Sequence, residues 1–130
     1  MSLVGHADTI TGLALAPMTK SSILSNSMDG TVMMWDVKPY CENESRLMRV
    51  FMGATHNFEK NLLRCAWSPD EQLITAGSAD RTVNIWNVET GELRHRLGGH
   101  QGSVNETSLH SGLIASGSSD KTVVLGKLDE

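Results

Sequence analysis

The 130-residue chain has little of what several large protein classes require. No run of apolar residues approaches the roughly 18 that a membrane-spanning helix needs. The N-terminal sequence MSLVGHADTI lacks the basic start and apolar stretch of a secretory signal peptide. A net charge of −4 and a pI near 5.7 disfavour a general nucleic-acid-binding or polybasic membrane-binding surface. The sequence therefore predicts a protein with no membrane span and no direct nucleic-acid contact.

Cysteine is also scarce, and the motifs of cofactor sites are missing. Cys41 and Cys65 form no CxxC pair, which is typical of reduced thiols in a cytosolic or nuclear protein. Neither phosphate-binding glycine pattern, GxGxxG or GxxxxGK[ST], occurs. The five histidines have no metal-ligand spacing; they are His6, His56, His95, His100 and His110. The sequence predicts neither a metal, a cofactor nor a small-molecule substrate.

What the chain does contain is one pattern that occurs three times. Each copy begins with Asp, continues with Thr-Val two positions later, and runs on as a short apolar stretch. The copies are 29–36, 80–87 and 120–127, so that the steps between their Asp residues are 51 and 40 residues. His6, His56 and His100 precede the three Asp residues by 23, 24 and 20 positions. Self-similarity at this period is typical of a repeat architecture.

Short apolar stretches separated by turn residues predict strands along the whole chain. The Asp29-Gly30 pair is typical of a tight hairpin turn. The predicted strands are 10–16, 23–27, 31–37, 47–52, 62–67, 73–76, 82–88, 93–97, 104–109, 113–116 and 122–128. The polar stretch 38–46 is interpreted as an enlarged loop, and little room is left for helix.

The threefold pattern resembles the WD repeats, which form the blades of β-propellers. Members of that family carry a Gly-His, a variable core of strands, an Asp in a tight turn, and Trp-Asp at the end of the third strand. The resemblance implies an all-β fold of three consecutive four-stranded blades, at about 5–53, 54–98 and 99–130, the last one incomplete. Because propellers have about 4–8 blades, we expect the chain to be the C-terminal part of a longer propeller. Alone, the three blades would expose two unpaired faces and open sheet edges, which favour aggregation.

In that family a His, a Ser or Thr, an Asp and a Trp form a hydrogen-bonded tetrad inside each blade. Ala76 replaces the hydroxyl residue in the second repeat and Gly126 replaces the Trp in the third. The tetrad residues implied by the resemblance are His6, Ser25, Asp29 and Trp35; His56, Asp80 and Trp86; and His100, Ser116 and Asp120.

The predicted role of these tetrads is structural, because a buried carboxylate needs hydrogen-bond donors. The alternative is a catalytic Ser-His-Asp triad in a hydrolase. Recurrence of the trio at equivalent positions favours the structural role, since an enzyme needs its triad once. We therefore expect no catalytic residue and no enzymatic activity.

Longer segments resemble one branch of the family more closely. These are WDVKPY at 35–40, HNFEKNLLRCAWSPD at 56–70, AGSADRTVNIW at 76–86 and the final SSDKTVVLGKLDE. They are similar to the C-terminal blades of the WD-repeat subunits of the spliceosomal U5 small nuclear ribonucleoprotein. The resemblance implies a protein–protein interaction scaffold in pre-mRNA splicing, a nuclear location (cytoplasm being the alternative), and the large spliceosomal scaffold protein as partner.

Partner binding is predicted on one face, where the loops leading into the blades meet the Asp-containing turns. An exposed aromatic residue beside an arginine is typical of a binding anchor, although Phe58 packed on its own blade is the alternative. The predicted contact residues are Met28, Asn57, Phe58, Glu59, Lys60, Asn61, Ala79, Arg81 and Lys121.

A second functional hypothesis is a substrate receptor of a ubiquitin ligase. That class often carries WDxR at the end of a blade, whereas this chain has WDVK at 35–38. Lysine does not replace the two-pronged contact that arginine makes, so this hypothesis ranks below the splicing scaffold.

Overall fold

The computed structural model describes residues 2–40, 45–53, 62–110 and 112–128. The regular structure in these ranges consists of eleven strands. They are β1 (Ile10–Leu15), β2 (Ser22–Ser27), β3 (Val32–Asp36), β4 (Leu47–Phe51), β5 (Cys65–Trp67), β6 (Leu73–Gly77), β7 (Val83–Asn87), β8 (Leu93–Leu97), β9 (Val104–His110), β10 (Leu113–Ser118) and β11 (Val123–Lys127). Within the same ranges, no helix has the length and apolar character that crossing a membrane would require.

The strands form three antiparallel sheets in which neighbours in sequence are neighbours in space. The orders are β1-β2-β3-β4, β5-β6-β7-β8 and β9-β10-β11. Short connections favour this arrangement, because antiparallel neighbours can be joined by tight turns. The all-β prediction of consecutive blades is confirmed, and the third sheet has three strands among the described residues.

The first strand of the second blade is shorter than the predicted 62–67. Two of the residues before Cys65 make backbone hydrogen bonds with the neighbouring blades. The carbonyl of Leu63 accepts from the Asn26 amide (2.6 Å) and the Thr11 hydroxyl (2.6 Å), and the Arg64 N–H donates to the Asn105 carbonyl (2.8 Å). Neighbouring blades thus supply part of the pairing that a longer strand would have found in its own sheet, while the Arg64 carbonyl still accepts from the Gly77 N–H of β6 (3.4 Å).

Two apolar cores lie between the sheets. The first joins blades 1 and 2 and the second joins blades 2 and 3. Buried members of the first include Leu24, Phe51, Trp67, Ile74 and Trp86; those of the second are Val83, Ile85, Val104, Leu109 and Ile114. Burial of such side chains is the main favourable contribution to folding.

Blades 2 and 3 lie in close contact at Gly77. A Cβ atom on this residue would lie 1.9 Å from the Val104 carbonyl oxygen, so only glycine fits. Gly117 occupies the equivalent position in the third blade and has no atom within 4 Å of its own would-be Cβ. On the same face, Val123 and Leu125 of β11 are 77% and 70% exposed.

Candidate functional site

The Asp29 turn between β2 and β3 is held by side chains on both sides of the aspartate. Ser27 Oγ accepts a hydrogen bond from the Asp29 N–H (3.1 Å), and Asp29 Oδ1 accepts from the Thr31 N–H (2.9 Å) and hydroxyl (2.6 Å). The left-handed φ of 83° at Gly30 completes the turn. The turn thus fixes the carboxylate in one orientation.

His6, Ser25, Asp29 and Trp35 lie together in the first blade as one hydrogen-bonded chain. The distances are 2.9 Å from His6 Nδ1 to Asp29 Oδ2, 2.7 Å from His6 Nε2 to Ser25 Oγ, and 2.8 Å from Trp35 Nε1 to Ser25 Oγ. A carboxylate only accepts, so His6 Nδ1 donates to Asp29. Ser25 Oγ accepts from the Trp35 indole and shares a hydrogen bond with His6 Nε2, so every member has a partner.

These hydrogen bonds also determine the charge of Asp29. Burial raises the pKa of the carboxyl, but hydrogen bonds from Thr31, from the Ala7 N–H (3.0 Å) and from His6 outweigh it. The pKa of Asp29 therefore lies well below its usual range, and the side chain is a carboxylate at neutral pH. Since Ala7 lies in the segment leading into β1, the carboxylate also attaches that segment to the turn.

The third blade repeats the arrangement without a tryptophan. His100 Nδ1 lies 3.1 Å from Asp120 Oδ2, His100 Nε2 lies 2.8 Å from Ser116 Oγ, and the Gln101 N–H donates to Asp120 Oδ2 (2.8 Å). Hydrogen bonds from Thr122, Gln101 and His100 hold the pKa of Asp120 below its usual range, although burial raises it. Gly126 stands opposite Ile114 on the neighbouring strand, where a tryptophan would otherwise stand.

The second blade departs from the tetrad pattern. Ala76 is fully buried at the hydroxyl position, and the indole N–H of Trp86 donates to the Met52 carbonyl of the first blade (2.8 Å). Asp80 keeps its turn, accepting from the Thr82 N–H at 3.1 Å and from the Thr82 hydroxyl. His56 lies outside the described residues.

The Ser-His-Asp trios of blades 1 and 3 have the connectivity of a hydrolase triad but not the accessibility of one. Ser25 is 2% exposed and Ser116 is 5% exposed. A nucleophilic serine must reach a substrate carbonyl carbon, and Ser25 Oγ also accepts the Trp35 N–H. The geometry therefore suits a structural role, fastening the hairpin of each blade to the segment that precedes the blade.

The predicted contact face is described only in part, because 57–61 lie outside the described residues. Arg81 and Lys121 are exposed, and Met28 and Ala79 are half-buried. Arg81 (φ 73°) and Lys121 (φ 72°) occupy the left-handed position that Gly30 takes in the first blade. All four residues lie in the three equivalent hairpin turns.

No role was predicted from the sequence for the threonines that hold the turns. Thr31, Thr82 and Thr122 each donate two hydrogen bonds to the Asp two positions earlier. Their signal was visible, because a threonine follows every repeat Asp at that spacing. Short side chains of this kind commonly close turns on their own backbone.

The described residues contain no cluster of His, Cys, Asp or Glu side chains that could hold a metal ion. Cys65 is a free, buried thiol, and burial raises its pKa to about 12. Such a thiol is protonated and unreactive at neutral pH. Cys41 lies outside the described residues.

Comparison with known proteins gives the same architecture. The model of the WD domain, G-beta repeat (WD40) matches residues 1–36, 47–87 and 91–125. The chain is 50% identical over 126 residues to the U5 small nuclear ribonucleoprotein 40 kDa protein of Bos taurus, covering 95% of this chain and 35% of that protein. It is 47% identical over 96 residues to the pre-mRNA-splicing factor cwf17 of Schizosaccharomyces pombe, covering 72% of this chain and 28% of that protein.

A more distant relative is the small ribosomal subunit protein RACK1 of Dictyostelium discoideum. It is 32% identical over 91 residues, covering 69% of this chain and 26% of that protein. The chain thus spans about a third or less of the length of these relatives. With three matched repeats, three blade-like sheets and two connected His-Ser-Asp trios, the chain belongs to the WD40 repeat family.

Proposed function

We propose that this chain is a non-enzymatic scaffold for protein–protein contacts that acts in pre-mRNA splicing in the nucleus. The observation that carries the proposal is the 50% identity to the U5 small nuclear ribonucleoprotein 40 kDa protein, which extends over 95% of this chain. Pre-mRNA-splicing factor cwf17 matches a large part of the same chain. The proposed partner is the large scaffold protein of that particle.

The proposed contact face is the end of the blades at which the hairpin turns lie. Arg81 and Lys121 are exposed there, in turns that the Asp80 and Asp120 hydrogen bonds hold in place. A rigid turn that presents a long cationic side chain loses little conformational freedom on binding. Phe58 and its neighbours are proposed to add an apolar anchor to these charges.

The test is recovery of the partner by the tagged chain and by a Phe58→Ala, Arg81→Ala double variant. We expect the double variant to lose most of the partner while keeping the circular dichroism spectrum and melting temperature of the original chain. The matched control is Met18→Ala, Gln72→Ala, since both residues are exposed on connections at the opposite end of the blades. Equal recovery by all three proteins would move the contact away from the turn face.

The ubiquitin-ligase hypothesis gains no support from the WDVK segment. Lys38 Nζ lies 3.6 Å from Asp36 Oδ2, and Arg46 donates to the carbonyls of Asp36 and Lys38. Lys38 is thus paired within the segment, and Arg46 binds the segment's backbone. Recovery of ligase adaptors in place of splicing proteins would nevertheless replace the splicing proposal.

A further inference from the structure

A groove of about 310 Å³ lies between the second and third blades, at the end opposite to the hairpin turns. Its lining includes Pro69 and Asp70 from the connection between β5 and β6, and Gly112 from the connection between β9 and β10. The hairpin turn at Asp80 lies at the other end of β6. The groove is therefore separate from the contact face proposed above.

The equivalent junction, between blades 1 and 2, shows which side chain can occupy the position of this groove. There, Glu71 from the second blade reaches the connection that follows β1. Its Oε1 accepts hydrogen bonds from the backbone N–H groups of Met18 and Thr19, both at 2.8 Å. The carboxylate thus bridges the two blades at this end.

The corresponding connection of the third blade is shorter. The connection between His110 and Leu113 has two residues, against five between Trp67 and Leu73, and it contains no carboxylate. Pro69 and Asp70 line the groove from the second blade, and Gly112 of this shorter connection lines it from the third.

The groove combines an apolar floor with one acidic side chain. Leu73, Leu109 and Leu128 form the floor; Leu109 is buried in the core between blades 2 and 3, and the other two are partly buried against it. Asp70 is exposed beside them, and its Oδ1 accepts hydrogen bonds from Ser68 Oγ (2.6 Å) and the Gln72 N–H (3.0 Å). These bonds hold the pKa of Asp70 below its usual range, so it is charged at neutral pH.

The remaining charges at the groove do not offset that carboxylate. Among the lining residues that the structure describes, none is lysine or arginine, and His110 is the other titratable side chain. The second oxygen of Asp70, Oδ2, accepts none of the hydrogen bonds found within the described part of the chain. It is therefore placed to receive a donor from outside.

We propose that this groove binds a short peptide segment of a partner protein in which an apolar side chain stands next to a lysine or arginine. The apolar side chain packs on Leu73, Leu109 and Leu128, and the cation pairs with Asp70. The volume lies at the lower end of ligand pockets, about 300–1,000 Å³, so the groove takes one or two side chains. The proposal does not depend on the splicing role, because it rests on the chemistry of the groove.

The test uses the full chain labelled with ¹⁵N and two blocked tetrapeptides, Ser-Leu-Arg-Ser and Ser-Leu-Glu-Ser. We expect the arginine peptide to shift the amide resonances of Asp70, Leu73 and Gly112 in a saturable way at millimolar concentrations. The glutamate peptide should bind at least about fivefold more weakly, as expected for the loss of one exposed ion pair.

Asp70→Asn is the informative variant, since an amide oxygen can still accept from Ser68 and Gln72 while the charge is lost. It should weaken binding of the arginine peptide by about fivefold. Glu92→Gln, which removes an exposed charge elsewhere in the same blade, should leave binding unchanged. Shifts that map outside the groove, equal responses to the two peptides, or no saturable shift at all would overturn the proposal.

Discussion

The indole nitrogen of Trp86 lies 2.8 Å from the carbonyl oxygen of Met52, so the tryptophan of one blade is hydrogen-bonded to the backbone of the blade before it. Trp35 makes its bond within its own blade, to Ser25 Oγ at the same distance. The difference follows from one substitution, because Ala76 offers no hydroxyl in the second blade. The second repeat thus uses its tryptophan to join two blades, and the rings of Trp86 and Phe51 also meet at the junction, with centroids 6.1 Å apart.

Removal of the tetrad carboxylate should destabilise the first blade strongly. Asp29→Ala leaves His6, Thr31 and the Ala7 N–H without their acceptor, and we expect a loss of about 2–4 kcal/mol in the free energy of unfolding. Asp120→Ala should have a smaller effect, because the hydrogen-bonded side chains of its blade do not include a tryptophan. Urea unfolding of both variants measures this. Equal and small losses at the two positions would contradict the tetrad assignment.

Stability should fall in acid through the same carboxylates. The folded pKa of Asp29 lies below the unfolded value of about 3.9. Its contribution is therefore complete above that value and is lost as the pH falls from there towards the folded pKa. The free energy of unfolding should be level near neutrality and decline below about pH 4. Asp29→Asn should flatten that decline, and an unchanged pH profile in the variant would show that other groups cause it.

Substitution by alanine should change stability very differently at the two equivalent glycines, Gly77 and Gly117. In Gly77→Ala the new methyl group meets the Val104 carbonyl, so we expect a loss of about 3 kcal/mol or more. Gly117→Ala places its methyl group in open space and should leave stability within about 0.5 kcal/mol of the original chain. Thermal melts compare the pair. A large loss at Gly117 would mean that another surface covers the third blade.

Amide hydrogen exchange should distinguish the blades. Val83 and Ile85 lie on β7, which has a strand on both sides, whereas Val123 and Leu125 lie on β11, which pairs only with β10 among the described strands. We expect slow exchange at the first pair and fast exchange at the second. Exchange that is slow in all three blades would show that a further strand pairs with β11.

The order and type of the strands could be predicted because each repeat carries the same local sequence pattern. Alternating apolar residues and Asp-containing turns located all eleven strands, several of them to within one or two residues of the observed ends. The short β5 could not be predicted, since the Leu63 carbonyl and the Arg64 N–H find their hydrogen-bond partners in other blades. The local sequence does not show which residues of other blades will form such hydrogen bonds.

The candidate site divides in the same way. The resemblance to WD repeats predicted that His6, Ser25 and Asp29 form one hydrogen-bonded chain, and the structure joins them. The bond from Trp86 to Met52 and the groove beside Asp70 could not be predicted, because each depends on how two neighbouring blades meet. Both are properties of blade junctions. The proposed contact loop at 57–61 lies outside the described residues and stays a prediction.

The most direct measurement of the proposed role is affinity purification of the tagged chain from nuclear extract, with quantitative mass spectrometry. The tagged Phe58→Ala, Arg81→Ala double variant serves as the control for unspecific capture, because it is expected to keep the fold and lose the partner. The account predicts that proteins of the U5 small nuclear ribonucleoprotein are enriched with the original chain and not with the variant. Enrichment of ubiquitin-ligase adaptors, or no enrichment over the variant, would contradict it.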